Sequence, residues 1–391
     1  MLSLCLRCKG SRALCGLTSC PLLKEYERRT MWKSKKELMG ITPPNLFVGR
    51  MGYPNVYWGP MVSEEEKVLM EPDFFGRSTS EIVEERSKLL RGKNELNVYK
   101  KTPMLEKAQE IILSLKPIDV EVRFKREPSF GMHFSPITTP MGPSAPIEKL
   151  DVVDNAQIPK RVDEIQEEGM KASEAVDLLR KYDVYYVSRV LSSGILGVEK
   201  NRKLVPTRWS ITATDDIIGR KISRKILDFP EINEILLYSI MYMDNHYEIL
   251  LMPGAWEYEQ FEAWAPKTYW TTDSSAWEIV QEYELWRGRK NYAEKEAGGY
   301  YAGRLGVLEH LERIGRQARV LLIREIYEGF IIPVGVWQVR ESVRHGMKTN
   351  PEKFSNIEEA LARINERTRI PIKEYRKKSE ILKFGRLDYY M

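Results

Sequence analysis

Residues 235–264 read ILLYSIMYMDNHYEILLMPGAWEYEQFEAW, and they carry the strongest sheet signal in the chain. Three runs rich in β-branched and aromatic side chains, Ile235 to Met243, Tyr247 to Met252 and Tyr258 to Trp264, are separated by Asp244-Asn245-His246 and Pro253-Gly254-Ala255. Both separators have turn chemistry, and connections this short join antiparallel neighbours. An antiparallel sheet is expected here.

Outward from this sheet the chain alternates between helix and strand patterns. Towards the carboxyl end, Gly298-Gly-Tyr-Tyr-Ala-Gly-Arg-Leu305 opens a helix to about Ile314 with Leu305, Leu308 and Leu311 inward. Arg316 to Glu325 and Val334 to Arg340 read as strands, Asn356 to Arg363 as a short helix, and Tyr375 onward as tail. Towards the amino end, Asp215 and Asp216 cap a helix from about Ile217 to Ile226, and Val184 to Val190 reads as a strand after a helix at Ala172 to Tyr182. Asp119 to Phe124 alternates polar and apolar residues as a half-buried strand does. Helices are expected at Pro103 to Leu115 and, capped by Ser78-Thr79-Ser80, at Glu81 to Leu90. Two Gly- and Pro-rich stretches have no period: Gly40 to Met61 reads as an ordered loop or extended strand, and Phe130 to Ile147 as a functional loop or linker. The fold class is α+β (mixed α/β), an antiparallel sheet with surrounding helices, and no internal repeat is found. Residues 1–36, 37–370 and 371–391 are the expected domains, with a possible subdivision near 148–170.

All four cysteines, Cys5, Cys8, Cys15 and Cys20, fall in the first twenty of 391 residues. The spacing C-x2-C-x6-C-x4-C suits four thiolates around structural Zn2+, and neighbouring Lys9 and Arg12 lower thiol pKa values. A segment this short folds only with its metal. Two other readings stay open: disulfides, which suit secreted chains, and an iron–sulfur cluster, which uses the same ligands. A signal peptide fails because Arg7, Lys9 and Arg12 interrupt the apolar run.

Charge is 30% of the chain and the net charge +5. Both ends are basic: residues 1–50 hold ten Lys or Arg against three Glu, and residues 367–391 hold eight against three acidic. Basic ends fit phosphate contact. With no run of eighteen apolar residues, a membrane-spanning helix is not expected.

Several segments offer chemistry. Asp215 and Asp216 offer hard oxygen ligands for Mg2+, as in a nuclease, and Arg208 beside Trp209 offers a phosphate contact or a stacking plane. Gly298 and Gly299 at a helix start, with Arg304, are candidates for an anion or nucleotide, as is Arg50 in the glycine-rich Gly49-Arg50-Met51-Gly52. The packing alternative for the small residues of that helix stands beside this. The four histidines, His133, His246, His310 and His345, share no metal-ligand spacing.

The cysteine knuckle ending Cys20-Pro21, Phe47-Val-Gly-Arg-Met-Gly-Tyr-Pro-Asn-Val56 with Gly59-Pro60, Leu204-Val-Pro-Thr-Arg-Trp-Ser-Ile-Thr-Ala213 with Asp215-Asp216, Gly298 to Leu305, and Val334-Gly-Val-Trp-Gln-Val-Arg-Glu341 together resemble the archaeal Nre family of DNA repair proteins. The resemblance covers nearly the whole chain. It implies a cytoplasmic protein that acts on damaged DNA, an amino-terminal C4 zinc finger and, in many members, a carboxy-terminal peptide that binds the sliding clamp PCNA. Such a peptide sets one aliphatic and two aromatic plugs into a pocket. Two degenerate registers exist here, Lys378-x-x-Ile381-x-x-Phe384 and Phe384-x-x-Leu387-x-x-Tyr390. A tail packed back on its own domain is the competing reading. The functional expectation is a zinc-containing repair protein in contact with DNA and PCNA. The alternative is a metal-dependent nuclease or nucleotide-processing enzyme.

Overall fold

The computed structural model describes residues 14–17, 35–128, 132–268 and 270–383. The chain divides into two compact units, Ser19–Ile218, and Gly219–Met391 with Met1–Thr18. In the first, the strands are β1 (Glu37–Thr42), β2 (Leu46–Val48), β3 (Asn55–Val62), β4 (Leu90–Gly92), β5 (Asn94–Asn97), β6 (Ile118–Phe124), β7 (Ser144–Ala145) and β8 (Ile147–Val152). The helices are α1 (Thr79–Ser87), α2 (Pro103–Leu113), α3 (Lys160–Glu168), α4 (Ala172–Leu179) and α5 (Val184–Ser192), followed by α6 (Thr207–Ile226), within which the division falls.

One antiparallel sheet has the order β1-β6-β8, and a second runs β2-β3-β4-β7 with β5 also paired to β3. Strand β6 follows its sequence pattern: Ile118, Val120, Val122 and Phe124 are buried and Asp119, Glu121 and Arg123 exposed. Those four side chains meet Leu105, Ala108, Ile111 and Ile112 of α2 in one core. Burying each large apolar side chain contributes roughly 1.5–3 kcal/mol. Thr102 starts α2 by accepting from Leu105 N at 3.2 Å, ahead of Pro103 at the first helical position. Ser78 starts α1 with a reciprocal capping box to Glu81.

Two expectations need correction in this unit. Residues 184–190 are helical, not extended. Asp183 accepts from Tyr185 N at 2.7 Å and Tyr186 N at 2.9 Å, and that cap selects helix for a β-branched run whose Val184, Val187, Val190 and Leu191 also suit a helical period. Helix α6 begins at Thr207, not near Ile217, so Asp215 and Asp216 are mid-helix. Its Ser and Thr side chains bond back to the helix itself: Ser210 Oγ donates to Thr207 O at 3.0 Å and Thr212 Oγ1 to Arg208 O at 3.3 Å. Hydroxyls that bond back to the preceding turn are compatible with helix.

The second unit holds β9 (Ile235–Tyr242), β10 (Asn245–Met252), β11 (Glu257–Trp264), β12 (Glu278–Glu284), β13 (Arg319–Ile326) and β14 (Glu352–Phe354). Its helices are α7 (Gly298–Ile314), α8 (Trp337–Gly346), α9 (Ile357–Arg367) and α10 (Ile372–Arg376). The strands form a single sheet in the order β12-β11-β13-β10-β9-β14. β9 and β10 pair through a two-residue turn at Met243 and Asp244, both with positive φ (50° and 55°), so Asn245 and His246 belong to the strand rather than the turn. β10 and β11 are not neighbours: β13 inserts between them, antiparallel to β10 and parallel to β11. Four extended residues reach roughly 13 Å, and the gap across one inserted strand is about 9.6 Å, so the link 253–256 spans it.

Residues 334–340 are also not a strand. Gly335 has φ 105°, and α8 starts just after it, burying Trp337, Val339 and Val343. The chain from Tyr375 is no loose tail as far as 383: Tyr375 lies in α10, and Tyr375, Ile381 and Leu382 join the core formed by Leu250, Phe261, Leu321, Leu361 and Ile364. Burial of this stretch depends on two carboxylates of the sheet. Glu325 accepts from Arg369 N (2.8 Å) and Ile370 N (2.9 Å), and Glu259 from Glu380 N (2.7 Å) and Ile381 N (3.1 Å).

Candidate nucleic-acid interface

In the Ser19–Ile218 unit the loop after β2 and the first turn of α6 come together. Val48 N donates to Thr207 Oγ1 at 2.8 Å, and Thr207 Oγ1 donates to Leu46 O at 3.2 Å. Leu204 N donates to Val98 O at 3.0 Å, and Val98 N to Pro54 O at 2.9 Å, which brings the end of β5 into the same place. Four backbone and hydroxyl contacts thus lock three distant segments. Their side chains share one surface.

That surface is aromatic and basic. The Tyr53 and Trp209 rings lie 5.2 Å apart, tilted by 54°, and Trp209 is 44% exposed. Lys203 Nζ sits 5.9 Å from the Tyr53 ring centre and 5.2 Å from that of Tyr99, and it donates to Tyr99 Oη at 3.3 Å. Tyr99 is 56% exposed. On β3, Tyr57 is exposed with Lys93 Nζ 5.0 Å above its ring. The hydrogen bonds that Lys203 donates to the Tyr53 and then the Tyr99 phenol raise its pKa, so the ammonium stays charged at neutral pH. The same bond from Lys203, followed by one from Tyr53, lowers the Tyr99 phenol below its usual range. Exposed aromatic rings beside an ammonium are the arrangement on which bases stack while the cation meets phosphate.

Of the residues singled out in the sequence, Arg50 lies half-buried in the loop after β2 and Arg208 half-buried in the first turn of α6. Asp215 is fully buried on α6, and Asp216 is half-buried one residue on. Consecutive helical residues point about 100° apart, so the pair does not present both carboxylates to one point. Among the described residues no group of three or more His, Cys, Asp or Glu could hold a metal ion.

Gly298, Gly299 and Arg304 belong to the other unit and are buried in its core. A Cβ on Gly299 would lie 2.6 Å from Glu262 Oε1, so the first turn of α7 is already packed on a carboxylate. Arg304 Nη1 donates to Glu284 Oε2 at 2.8 Å with both side chains buried, and the guanidinium lies 5.4 Å from the Tyr301 ring centre. Its charge is met inside the protein. Cys15 is exposed, whereas Cys5, Cys8 and Cys20 lie outside the described residues. Lys378 is exposed and Ile381 buried; Phe384, Leu387 and Tyr390 lie outside the described residues. Tyr99 and Lys203 escaped the sequence reading because nothing local marks them, although the run Asn97-Val-Tyr-Lys-Lys101 offered an aromatic beside lysines.

Fold and surface define a two-unit α+β protein with an aromatic and basic face on its amino-terminal unit. The chain matches the models "Archaeal Nre, N-terminal" over residues 14–271 and "Archaeal Nre, C-terminal" over residues 284–388, and it belongs to the archaeal Nre family. It is 37% identical over 378 residues to DNA repair protein NreA of Archaeoglobus fulgidus, covering 95% of each chain. It is 34% identical to DNA repair protein NreB of the same organism, over 98% of this chain and 97% of that one. With DNA repair protein NreA of Haloferax volcanii the identity is 34% over 88% and 86% of the two chains. No solved structure matches.

Proposed function

We propose that this chain is a DNA repair protein that binds DNA through the Tyr53, Tyr99, Lys203 and Trp209 surface. The observation that carries the reading is the exposed Trp209 ring against half-buried Tyr53 with Lys203 beside it, built from segments far apart in sequence. Near end-to-end similarity to three proteins named for DNA repair supports it. Unpaired or distorted DNA exposes base faces, and a stacking surface engages those faces without reading sequence. The basic residues 1–50 add phosphate contact whose strength falls with salt.

Cys5, Cys8, Cys15 and Cys20 are the proposed zinc ligands, with exposed Cys15 open to a metal. Zinc would supply the folding free energy of that short segment. For the sliding clamp PCNA, burial of Ile381 in the core favours Phe384-x-x-Leu387-x-x-Tyr390 as the anchoring register.

The deciding experiment titrates single-stranded and mismatched duplex DNA into the zinc-quantified protein at several salt concentrations, reading Trp fluorescence and anisotropy. Trp209→Ala is expected to weaken binding by about 1–3 kcal/mol, the value of one base–aromatic stack. Lys203→Gln should reduce the salt slope. Unchanged affinity in both variants would overturn the assignment of this surface.

A further inference from the structure

The segment 132–142 of the first unit doubles back on itself. His133 N donates to Met141 O at 2.8 Å and Met141 N to His133 O at 3.0 Å. At its tip Ser135 Oγ accepts from Ile137 N (3.1 Å) and Thr138 N (3.2 Å), while Thr138, 5% exposed, leaves its Oγ1 buried without a partner. Against the hairpin lies β4. Its Arg91, 9% exposed, has Nη1 3.3 Å from Met141 Sδ and its guanidinium 4.6 Å above the Phe47 ring, and its Nε has no hydrogen-bond partner. Arg86, 2% exposed, approaches Met61, which shares a small core cluster with Met141: Nη2 is 3.1 Å from Met61 Sδ, and Nε donates to Pro140 O at 2.8 Å.

Neither guanidinium is in an ion pair with a described carboxylate. Thioethers and a ring face satisfy little of a buried cation's hydrogen bonding, and an uncompensated charge out of water is costly. Two further basic groups stand beside Arg91. Lys93, two residues along the extended chain and so on the same side, is exposed, and His133 keeps solvent contact. Burial alone holds Arg91 down to about 10. Burial, then Arg91 and Arg126, lowers Lys93; burial, then Arg91 and Lys93, holds His133 down to about 4. Because Lys93 and His133 are solvent-accessible, neighbouring charge is the firmer cause for both. Like charges repel one another here, none of the three is in an ion pair with a described carboxylate, and a bound oxyanion would offset that repulsion.

We propose that Arg91, Lys93 and His133 form a binding site for a phosphate group. Arg91 forms the floor and supplies the fork of donors that matches a phosphate's oxygens. Lys93 and His133 form the rim. A rim this close to a buried guanidinium suits a terminal phosphate, whose oxygens reach inward, better than a phosphodiester within a strand. Two sources share that chemistry: the phosphorylated end of a nucleic acid and free phosphate. Lys93 also lies over the Tyr57 ring, but the site shares no residue with Tyr53, Tyr99, Lys203 and Trp209, so failure of DNA binding there leaves the free-phosphate arm intact.

The test records imidazole NMR spectra of the full-length protein, with the His133 signal assigned by its loss in His133→Gln. Probes are inorganic phosphate up to about 10 mM and a short oligonucleotide with and without a 5′-phosphate. A saturable His133 shift, with chloride as control, is expected. It should weaken roughly tenfold or more in Lys93→Gln and vanish in Arg91→Gln. Response only to the phosphorylated oligonucleotide assigns the site to strand ends; response to inorganic phosphate alone assigns it to the free ion. If Arg91→Gln does not fold, the exposed Lys93→Gln carries the test. No His133 response to either probe, an equal response to chloride, or a response undiminished in Lys93→Gln overturns the proposal.

Discussion

The phenol of Tyr375 donates to Oε1 of Glu325 at 2.8 Å and ties α10, near the end of the described chain, to the middle strand β13 of the sheet. The same carboxylate accepts from Arg369 N, Ile370 N and the Tyr327 hydroxyl. Glu325 is fully buried, yet both its oxygens are satisfied, which is the condition under which a buried carboxylate is tolerated.

Tyr375→Phe is therefore expected to cost about 1 kcal/mol, the net value of one hydrogen bond. Glu325→Ala should cost more, because it orphans buried backbone N–H groups at roughly 1–3 kcal/mol each. Urea unfolding of the two variants checks the ratio. Equal, small losses would mean that the segment beyond 368 docks by apolar burial alone.

On the other face of the sheet Arg324 Nη1 donates to Glu262 Oε1 at 2.7 Å, and Nε donates to Asn245 Oδ1 at 2.9 Å, all buried. Breaking a buried pair leaves one charge uncompensated, so Glu262→Ala should lose about 3–5 kcal/mol. An apolar replacement of both partners, Glu262→Leu with Arg324→Met, is expected to lose less than the single change. Thermal unfolding of the single and double variants measures the coupling; an additive or worse loss in the double variant would contradict it.

His310 provides a pH signature. Its ring is buried beside Tyr238, and Nδ1 lies 2.8 Å from Arg313 Nη2, which leaves Nδ1 to accept. Burial first and the Arg313 charge second hold it down to about 4 from its usual 6.5. The unfolded chain takes up a proton below pH 6.5 and the native protein does not, so stability falls as pH drops from 6.5 towards 4. The loss across that window is up to roughly 3 kcal/mol. Comparing wild type with His310→Gln at pH 7 and pH 4.5 isolates the contribution. An identical pH dependence in both would show that carboxylates alone govern acid unfolding.

Much of the fold was legible where one local pattern pointed one way. β6 alternates cleanly, α2 carries both its cap and its proline, and β9, β10, β11 and β13 announce themselves by β-branched and aromatic runs between turn residues. Reading failed where the same residues suit two periods. Val184 to Val190 and Val334 to Arg340 contain enough valine and aromatics for a strand, and only the Asp183 cap and the Gly335 break select helix. The hydroxyls of α6 hid a helix because their bonds to earlier carbonyls depend on the helix being there.

The sequence by itself determined the α+β class, the strands β6, β9, β10, β11 and β13, the cysteine cluster as a chemical group and the basic ends, because each is local composition or short-range period. Only the tertiary structure decided strand order, since a sheet can insert β13 between β10 and β11 without any change in their own residues. It alone set Tyr53 against Trp209, buried Arg304 on Glu284, and left Arg91 against Met141 and Phe47 with no ion pair to a described carboxylate. Those outcomes depend on which distant segments share a surface, and packing, not proximity along the chain, governs that.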